Sequence, residues 1–158
     1  MSDLTAAGIT LTLPLGWEAE ISPVSTGGFT PEPSPGVKRA QDPVIVHVGN
    51  FRLPQERGDY GGGVLELLAP GDVFISIIDF GTEAASQPLF AHEGVPTLSE
   101  ADFSPNTIVR GLPGRSGCQR FFSMGGRGFC LYVVVGSHSD RADLVGDINA
   151  TVGTLRVE

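Results

Sequence analysis

The closing third of the chain, residues 117–158, places the tightest limits on the fold. Two runs rich in aromatic and β-branched residues, 117–124 and 129–135, flank a break that contains Gly125 and Gly126. This pattern is typical of a β-hairpin with a tight glycine turn. An amphipathic stretch follows directly and predicts a helix that buries one face. The chain is therefore expected to pair strands and to cover them with a C-terminal helix.

The helix has recognisable ends in the sequence. Ser139 or Asp140 is expected to cap its first turn, and Gly153 is expected to end it. Residues 154–157 then predict a last short strand. The apolar stripe of the helix consists of Leu144, Val145, Ile148 and Val152.

The two cysteines lie in the two arms of the hairpin. A two-residue turn places Cys118 opposite Val133 and Cys130 opposite Phe121, on different faces of the ladder. A turn shifted by one residue places both cysteines on one face, but about 13 Å apart at roughly 3.3 Å per residue. A disulfide needs Cα atoms within about 7 Å, so neither register allows one. We predict two buried, reduced thiols.

The first half of the chain predicts several further strands. Alternating residues at 9–13 and 17–21 predict two strands, and apolar residues on both faces of 43–53 predict a central strand. Residues 22–43, rich in proline and glycine, predict a loop. Residues 107–112 predict a short strand.

A second hairpin is predicted around Ala69-Pro70-Gly71-Asp72. Proline followed by glycine is the signature of a type II turn, because glycine adopts positive φ at little cost. Residues 64–68 and 73–80 are its expected arms. The intervening segment 82–106 is broken by prolines and predicts little regular structure.

Composition bounds the fold class and the partners. The 158 residues, 41% hydrophobic and 18% charged, predict a single domain over residues 1–158. We expect an α+β domain: one twisted antiparallel sheet of about six or seven strands, with the C-terminal helix on one face. The formal charge of −8 argues against nucleic-acid and membrane partners. No targeting segment is visible, so a cytoplasmic location is expected. A single lysine against nine arginines indicates a biased genome, such as that of a high-GC bacterium.

The sequence lacks the common motifs of catalytic, phosphate-binding and metal-binding sites. The sequence has no phosphate-binding loop, no nucleophile elbow and no paired histidines at metal-ligand spacing. His47 lies in an apolar strand, where a satisfied core histidine is expected more often than a ligand. We therefore predict no catalytic residue, no metal and no cofactor.

One charge pattern stands out. Arg110, Arg115, Arg120 and Arg127 occur without a carboxylate between residues 105 and 139. The preceding segment 79–102 holds five carboxylates and no lysine or arginine. The two segments either neutralise each other, or the arginines form a site for an anion or an acidic partner, beside Phe121, Phe122 and Phe129.

The opening of the chain carries a family resemblance. Ile9, Leu11 and Leu13 are followed by Pro14-Leu15-Gly16-Trp17, and this motif resembles the start of Mog1/PsbP-like domains, which include DcrB-type and secretion-chaperone domains. The strand, helix and strand at the C-terminus are also similar. The resemblance implies an antiparallel sheet with packed helices and an adaptor, chaperone or assembly function, although the expected central helix has no counterpart within 82–106.

Two functions from different classes follow. The first is a non-catalytic protein-binding, adaptor or chaperone-like module that acts through a sheet face or edge, either as a homodimer or with other partners, including as part of a larger assembly. The second is an enzyme or small-ligand binder that uses the arginines for an anionic ligand.

Overall fold

The fold consists of two antiparallel sheets and one α-helix in a computed structural model, which describes residues 1–23, 44–108 and 112–158. Its strands are β1 (Ser2–Ala6), β2 (Ile9–Leu13), β3 (Glu18–Pro23), β4 (Val44–Gly49), β5 (Val73–Gly81), β6 (Ser116–Met124), β7 (Arg127–Val135) and β8 (Arg156–Val157). The helix α1 is Arg141–Val152. The α+β class is confirmed. The described strands form a small sheet in the order β1-β2-β8 and a large sheet in the order β3-β4-β5-β7-β6, where one sheet of six or seven strands was expected.

The large sheet has one face toward the small sheet and the helix. This inner face contributes alternate residues of β4, β5 and β7 to a continuous core, which β2 and α1 complete. Ile9 and Leu11 of β2 and Ile148 of α1 are fully buried there. The C-terminal helix thus covers one face of the sheet, as predicted. The opposite, outer face is partly covered by the connections between strands.

The closing hairpin adopts the first of the two registers considered from the sequence. Met124 pairs with Arg127 across a two-residue turn, and Cys118 pairs with Val133 and Phe121 with Cys130. Both turn glycines have positive φ, 59° and 78°, as a type I′ turn requires. Cys118 belongs to the inner core and Cys130 to the outer face. Both are free and buried, so the predicted thiols are confirmed.

The helix ends as predicted but begins differently. Gly153 is its C-cap, and β8 follows it. Asp140 is the N-cap residue, yet its side chain forms no capping hydrogen bond. The reason is that the 3-10 turn His138–Asp140 runs directly into the helix, which leaves Asp140 with helical φ and ψ.

The predicted hairpin arm at 64–68 is wrong. Residues Leu65–Leu67 form a 3-10 turn instead. The predicted turn itself is present: Asp72 N donates to Ala69 O at 3.0 Å, and Gly71 has a φ of 87°. Because β4 and β7 already flank β5, no place in the sheet remains for another strand there.

Two other predicted segments are only partly described. In the predicted loop at 22–43, residues 22 and 23 belong to β3, and residues 24–43 lie outside the described residues. The first residue of the predicted strand at 107–112 belongs to a 3-10 turn, Pro105–Thr107. Residues 109–111 also lie outside the described residues.

Candidate functional site

A row of aromatic side chains crosses one end of the outer face. Phe80, Phe90 and Phe121 follow one another with ring centroids 5.7 and 5.6 Å apart. Phe90 is buried, whereas Phe80 is 46% exposed and the neighbouring Leu89 is 58% exposed. We call these four residues, Phe80, Leu89, Phe90 and Phe121, the aromatic patch. The exposed ring of Phe80 lies against the buried ring of Phe90.

A β-bulge lies at Phe80, within this patch. Asp79 pairs with Phe129 and Gly81 with Gly128, so Phe80 is an extra residue without a partner in the ladder. Gly81 has a φ of 88°, and its N–H donates to Asp79 Oδ1 at 2.8 Å. Bulges of this kind redirect side chains and occur often beside functional sites.

Because Gly128 has no side chain, Phe90, which supports the patch, can lie close to the sheet. The 3-10 turns Ala84–Ser86 and Pro88–Phe90 cross the outer face above it. A Cβ atom at this position would stand 2.7 Å from Ala84 Cβ and 2.9 Å from Phe90 Cδ1. Only glycine permits this close packing, which fixes the position of Phe90.

A cleft lies on the other side of the same turns. It has a volume of about 330 Å³. Ser123 N donates to His92 O and Gly94 N donates to Ser123 O, both at 2.8 Å, and these bonds hold residues 92–94 beside β6. We call it the hairpin-tip cleft; its lining residues are Ala85, Glu93, Gly94, Ser123, Met124, Gly125 and Gly126.

The surroundings of the patch and the cleft are acidic. Glu83 and Glu93 are both exposed, and in the described part of the chain neither forms an ion pair. The whole segment 79–102 contains no lysine or arginine. A protein surface or ligand with positive charge is therefore favoured at this end of the molecule.

The structure does not bring the described arginines of the predicted anion site together. The guanidinium group of Arg115 donates to the carbonyl oxygens of Glu66 and Leu68 at 3.1 and 2.9 Å. Arg120 contacts Asp102 and donates to Gln119 O at 2.9 Å. Arg110 lies outside the described residues.

Arg127 has a third, separate environment. It is buried against Asp79, with 3.1 Å between Nη1 and Oδ2, and it donates to Ala7 O at 2.9 Å. Along the ladder it lies four residue pairs from Arg120, or roughly 13 Å at about 3.3 Å per residue. The aromatic residues named with these arginines also separate, because Phe122 and Phe129 stack in the inner core while Phe121 lies on the outer face.

His47 is a satisfied buried histidine in the structure. Its Nδ1 accepts a hydrogen bond from Arg57 Nε at 3.0 Å, and its Nε2 lies 3.0 Å from Asp59 O. Both ring nitrogens have partners in the neutral Nε2–H tautomer. Burial is the main cause that lowers the pKa of His47 from its ordinary value of 6.5, and the charge of Arg57 lowers it further. Arg57 also pairs with Glu20 at 2.9 Å.

The buried thiols are poor nucleophiles. Burial raises the pKa of Cys118 to about 11 and also raises the pKa of Cys130. Since the thiolate is the reactive form, this disfavours covalent chemistry at either cysteine. Within residues 1–23, 44–108 and 112–158, no three His, Cys, Asp or Glu side chains lie close enough to hold a metal ion.

The sequence did not identify the aromatic patch or the polar contacts of His47. The available signal for the patch was Phe80 next to Gly81 and the tripeptide Pro88-Leu89-Phe90 within a polar segment. Neither shows which side chain becomes exposed, because this depends on how the 3-10 turns pack over Gly128 on the outer face. No protein-family model matches the chain, and no curated protein and no solved structure matches it. In the described part of the chain, no helix has both the length and the apolar character needed to cross a membrane.

Proposed function

We propose that this protein is a non-catalytic protein-binding module that contacts its partner through the aromatic patch. The observation that carries this proposal is the exposed ring of Phe80, which lies 5.7 Å from the buried ring of Phe90, together with the exposed side chain of Leu89, the residue before Phe90. Aromatic anchors on a rigid base lose little conformational freedom on binding, and they are enriched among residues that dominate interface energies. The patch supplies such anchors.

The covered edge of β6 favours the sheet face over this edge as the binding surface. Gly117 exchanges two hydrogen bonds of 2.9 Å with Ser104, and Ser123 bonds to residues 92–94. These contacts occupy backbone groups at both ends of the edge, where an added strand would have to pair. Contact through the face needs no free backbone groups.

Two further considerations bear on the class of function and on the location of the protein. The resemblance of the opening motif to Mog1/PsbP-like domains implies an adaptor, chaperone or assembly role. The free, buried cysteines support the proposed cytoplasmic location, where thiols stay reduced. The alternative, an anion site at the arginines, is less well supported, because Arg115, Arg120 and Arg127 each have separate partners. A second copy of the chain is one partner that the patch would accept.

A double substitution in the patch tests the proposal. Phe80→Glu/Leu89→Glu places two charges where apolar contact is expected. Immobilised wild-type protein would capture the partner from an extract of the native host, and the affinity of the identified partner would then be measured by titration. We expect the double variant to bind at least about tenfold more weakly, since single anchors contribute more than about 1 kcal/mol.

Leu15→Glu is the matched control. Leu15 is 93% exposed in the turn between β2 and β3, away from the patch. This variant should bind within about twofold of the wild type. Sedimentation velocity of the wild type and the double variant tests self-association in the same way. Full affinity of a correctly folded double variant would refute the proposal.

A further inference from the structure

We infer that the partner presents a basic segment, in which an arginine or lysine side chain enters the hairpin-tip cleft while an apolar side chain covers the aromatic patch. This inference rests on the proposed function and specifies the chemistry of the partner. It follows from three observations: the position of the cleft, the shape of its lining, and the charge around it.

The cleft and the patch are parts of one surface. Ala85 lines the cleft, while Ala84 packs on Gly128 and Phe90 supports the patch. The turn Ala84–Ser86 therefore borders both the cleft and the support of the patch. A short extended segment of a partner can reach both with neighbouring side chains.

The lining of the cleft provides space for one long side chain. Gly94, Gly125 and Gly126 contribute no side chains, and an added Cβ at Gly94 or Gly126 would meet no atom within 4 Å. The volume of about 330 Å³ lies at the lower end of the range of small-ligand sites, roughly 300–1,000 Å³. Met124 offers an apolar contact for the aliphatic part of such a side chain.

The charge of the cleft selects a cation. Glu93 is the one ionisable residue in the lining, and in the described part of the chain its carboxylate forms no ion pair. Glu83 adds a second exposed carboxylate beside the patch, and the chain as a whole carries a formal charge of −8. An acidic segment would be repelled at long range, whereas a basic one would be attracted.

The test uses a small cation as the probe. N-acetylarginine amide is titrated into the folded protein while amide resonances are followed by NMR, and N-acetylcitrulline amide serves as the neutral probe of nearly the same shape. We expect the arginine probe to shift the resonances of residues 93–94 and 123–126, with little effect of the citrulline probe. Raising the salt concentration from about 0.02 M to about 0.5 M should weaken the response.

Two matched variants complete the test. Glu93→Gln should weaken binding of the arginine probe about three- to fivefold, as expected for a partly solvated ion pair. Glu56→Gln removes an exposed carboxylate from a different loop and should leave the affinity unchanged. Equal shifts with both probes, no shift at these residues, or an unchanged affinity of Glu93→Gln would overturn the inference.

The same variants separate this inference from the proposed function. If the captured partner tolerates Glu93→Gln but not Phe80→Glu/Leu89→Glu, the protein binds through the patch and the inferred basic segment is wrong. If the partner tolerates both, the proposed function itself fails.

Discussion

The buried ion pair of Arg127 and Asp79 links the two sheets. Both side chains are less than 10% exposed. Besides Asp79, Arg127 donates to Ala7 O in the turn between β1 and β2, and to Glu158 O at the C-terminus at 3.3 Å. One guanidinium group thus connects β5, β7, the small sheet and the end of the chain. This role is structural.

Removing one member of this pair should be costly. In Asp79→Ala the buried charge of Arg127 loses its counter-charge, and we expect the free energy of unfolding to fall by about 3–5 kcal/mol. Urea unfolding measures this loss. In Asp79→Ala/Arg127→Met no charge stays buried, so the double variant should lose less than the sum of the two single variants. Strict additivity would contradict a direct interaction between the two groups.

His47 should make the free energy of unfolding depend on pH between 6.5 and the lower pKa that this residue has in the folded protein. The pKa of His47 is lowered in the folded protein, so between that value and 6.5 the unfolded chain binds more protons than the native chain. Stability is therefore fully present above pH 6.5 and falls as the pH drops through 6.5 toward the folded pKa. Protonation at Nδ1 would also replace the acceptor for Arg57 Nε with a second positive charge.

Thermal unfolding from about pH 7.5 to about pH 5 checks this prediction, because carboxylates titrate at lower pH. The wild type should lose stability across this range, and His47→Gln should show a shallower dependence. His92→Gln, which replaces an exposed imidazole, is the control against which the slope of His47→Gln is compared. An equal slope in His47→Gln would exclude His47 as the titrating group.

At the scale of elements, the contact of two 3-10 turns with β7 decides the shape of the outer face. Gly128→Ala would place a methyl group 2.7 Å from Ala84 Cβ, so the turn Ala84–Ser86 must move. We expect a loss of about 1–3 kcal/mol in the free energy of unfolding, typical of overpacking, together with weaker partner binding. Urea unfolding and titration of the captured partner measure the two effects.

Gly146→Ala is the control for this substitution. Gly146 lies within α1, and a Cβ there would meet no atom within 4 Å. Alanine should stabilise the helix by about 0.5–1 kcal/mol without an effect on binding. A Gly128→Ala variant as stable as the wild type would show that the turns are not packed closely on β7.

At the scale of the whole molecule, the inner core joins the large sheet, β2 and α1 into one unit. Such a core predicts cooperative unfolding. Cys118 on the inner face and Cys130 on the outer face report on it independently, because both are fully buried. Labelling of either thiol requires opening of the structure around it.

We expect both cysteines to become reactive toward a thiol reagent with the same urea midpoint as the fluorescence of Trp17, the single tryptophan. Stability should be equal with and without reductant, since no disulfide is present. If Cys130 reacted at clearly lower urea than Cys118, the covering of the outer face would open separately from the core.

The sequence alone determined the local features of this protein. The glycine turn of the closing hairpin, the separation of its two cysteines, the end of α1 at Gly153 and the turn at Ala69–Asp72 were all predicted correctly, and the hairpin register was limited to two alternatives. Each depends on residues close together in the chain, where glycine at positive φ and the alternation of side chains leave few conformations. His47 was also expected to be a satisfied core residue, because its strand is apolar on both faces.

Only the tertiary structure decided which faces meet and which side chains stay exposed. The 64–68 segment has apolar residues that suit a strand, but both sides of β5 are already paired, so it forms a 3-10 turn. The small sheet joins β1 and β2, near the start of the chain, with β8 near its end. The partners of Arg127, which include Ala7 and Asp79, also lie far from it in the chain. The position of Phe90 beside Phe80 depends on the missing side chain of Gly128 in β7. Local patterns carry no information about such contacts, because they are set by the packing of elements far apart in sequence.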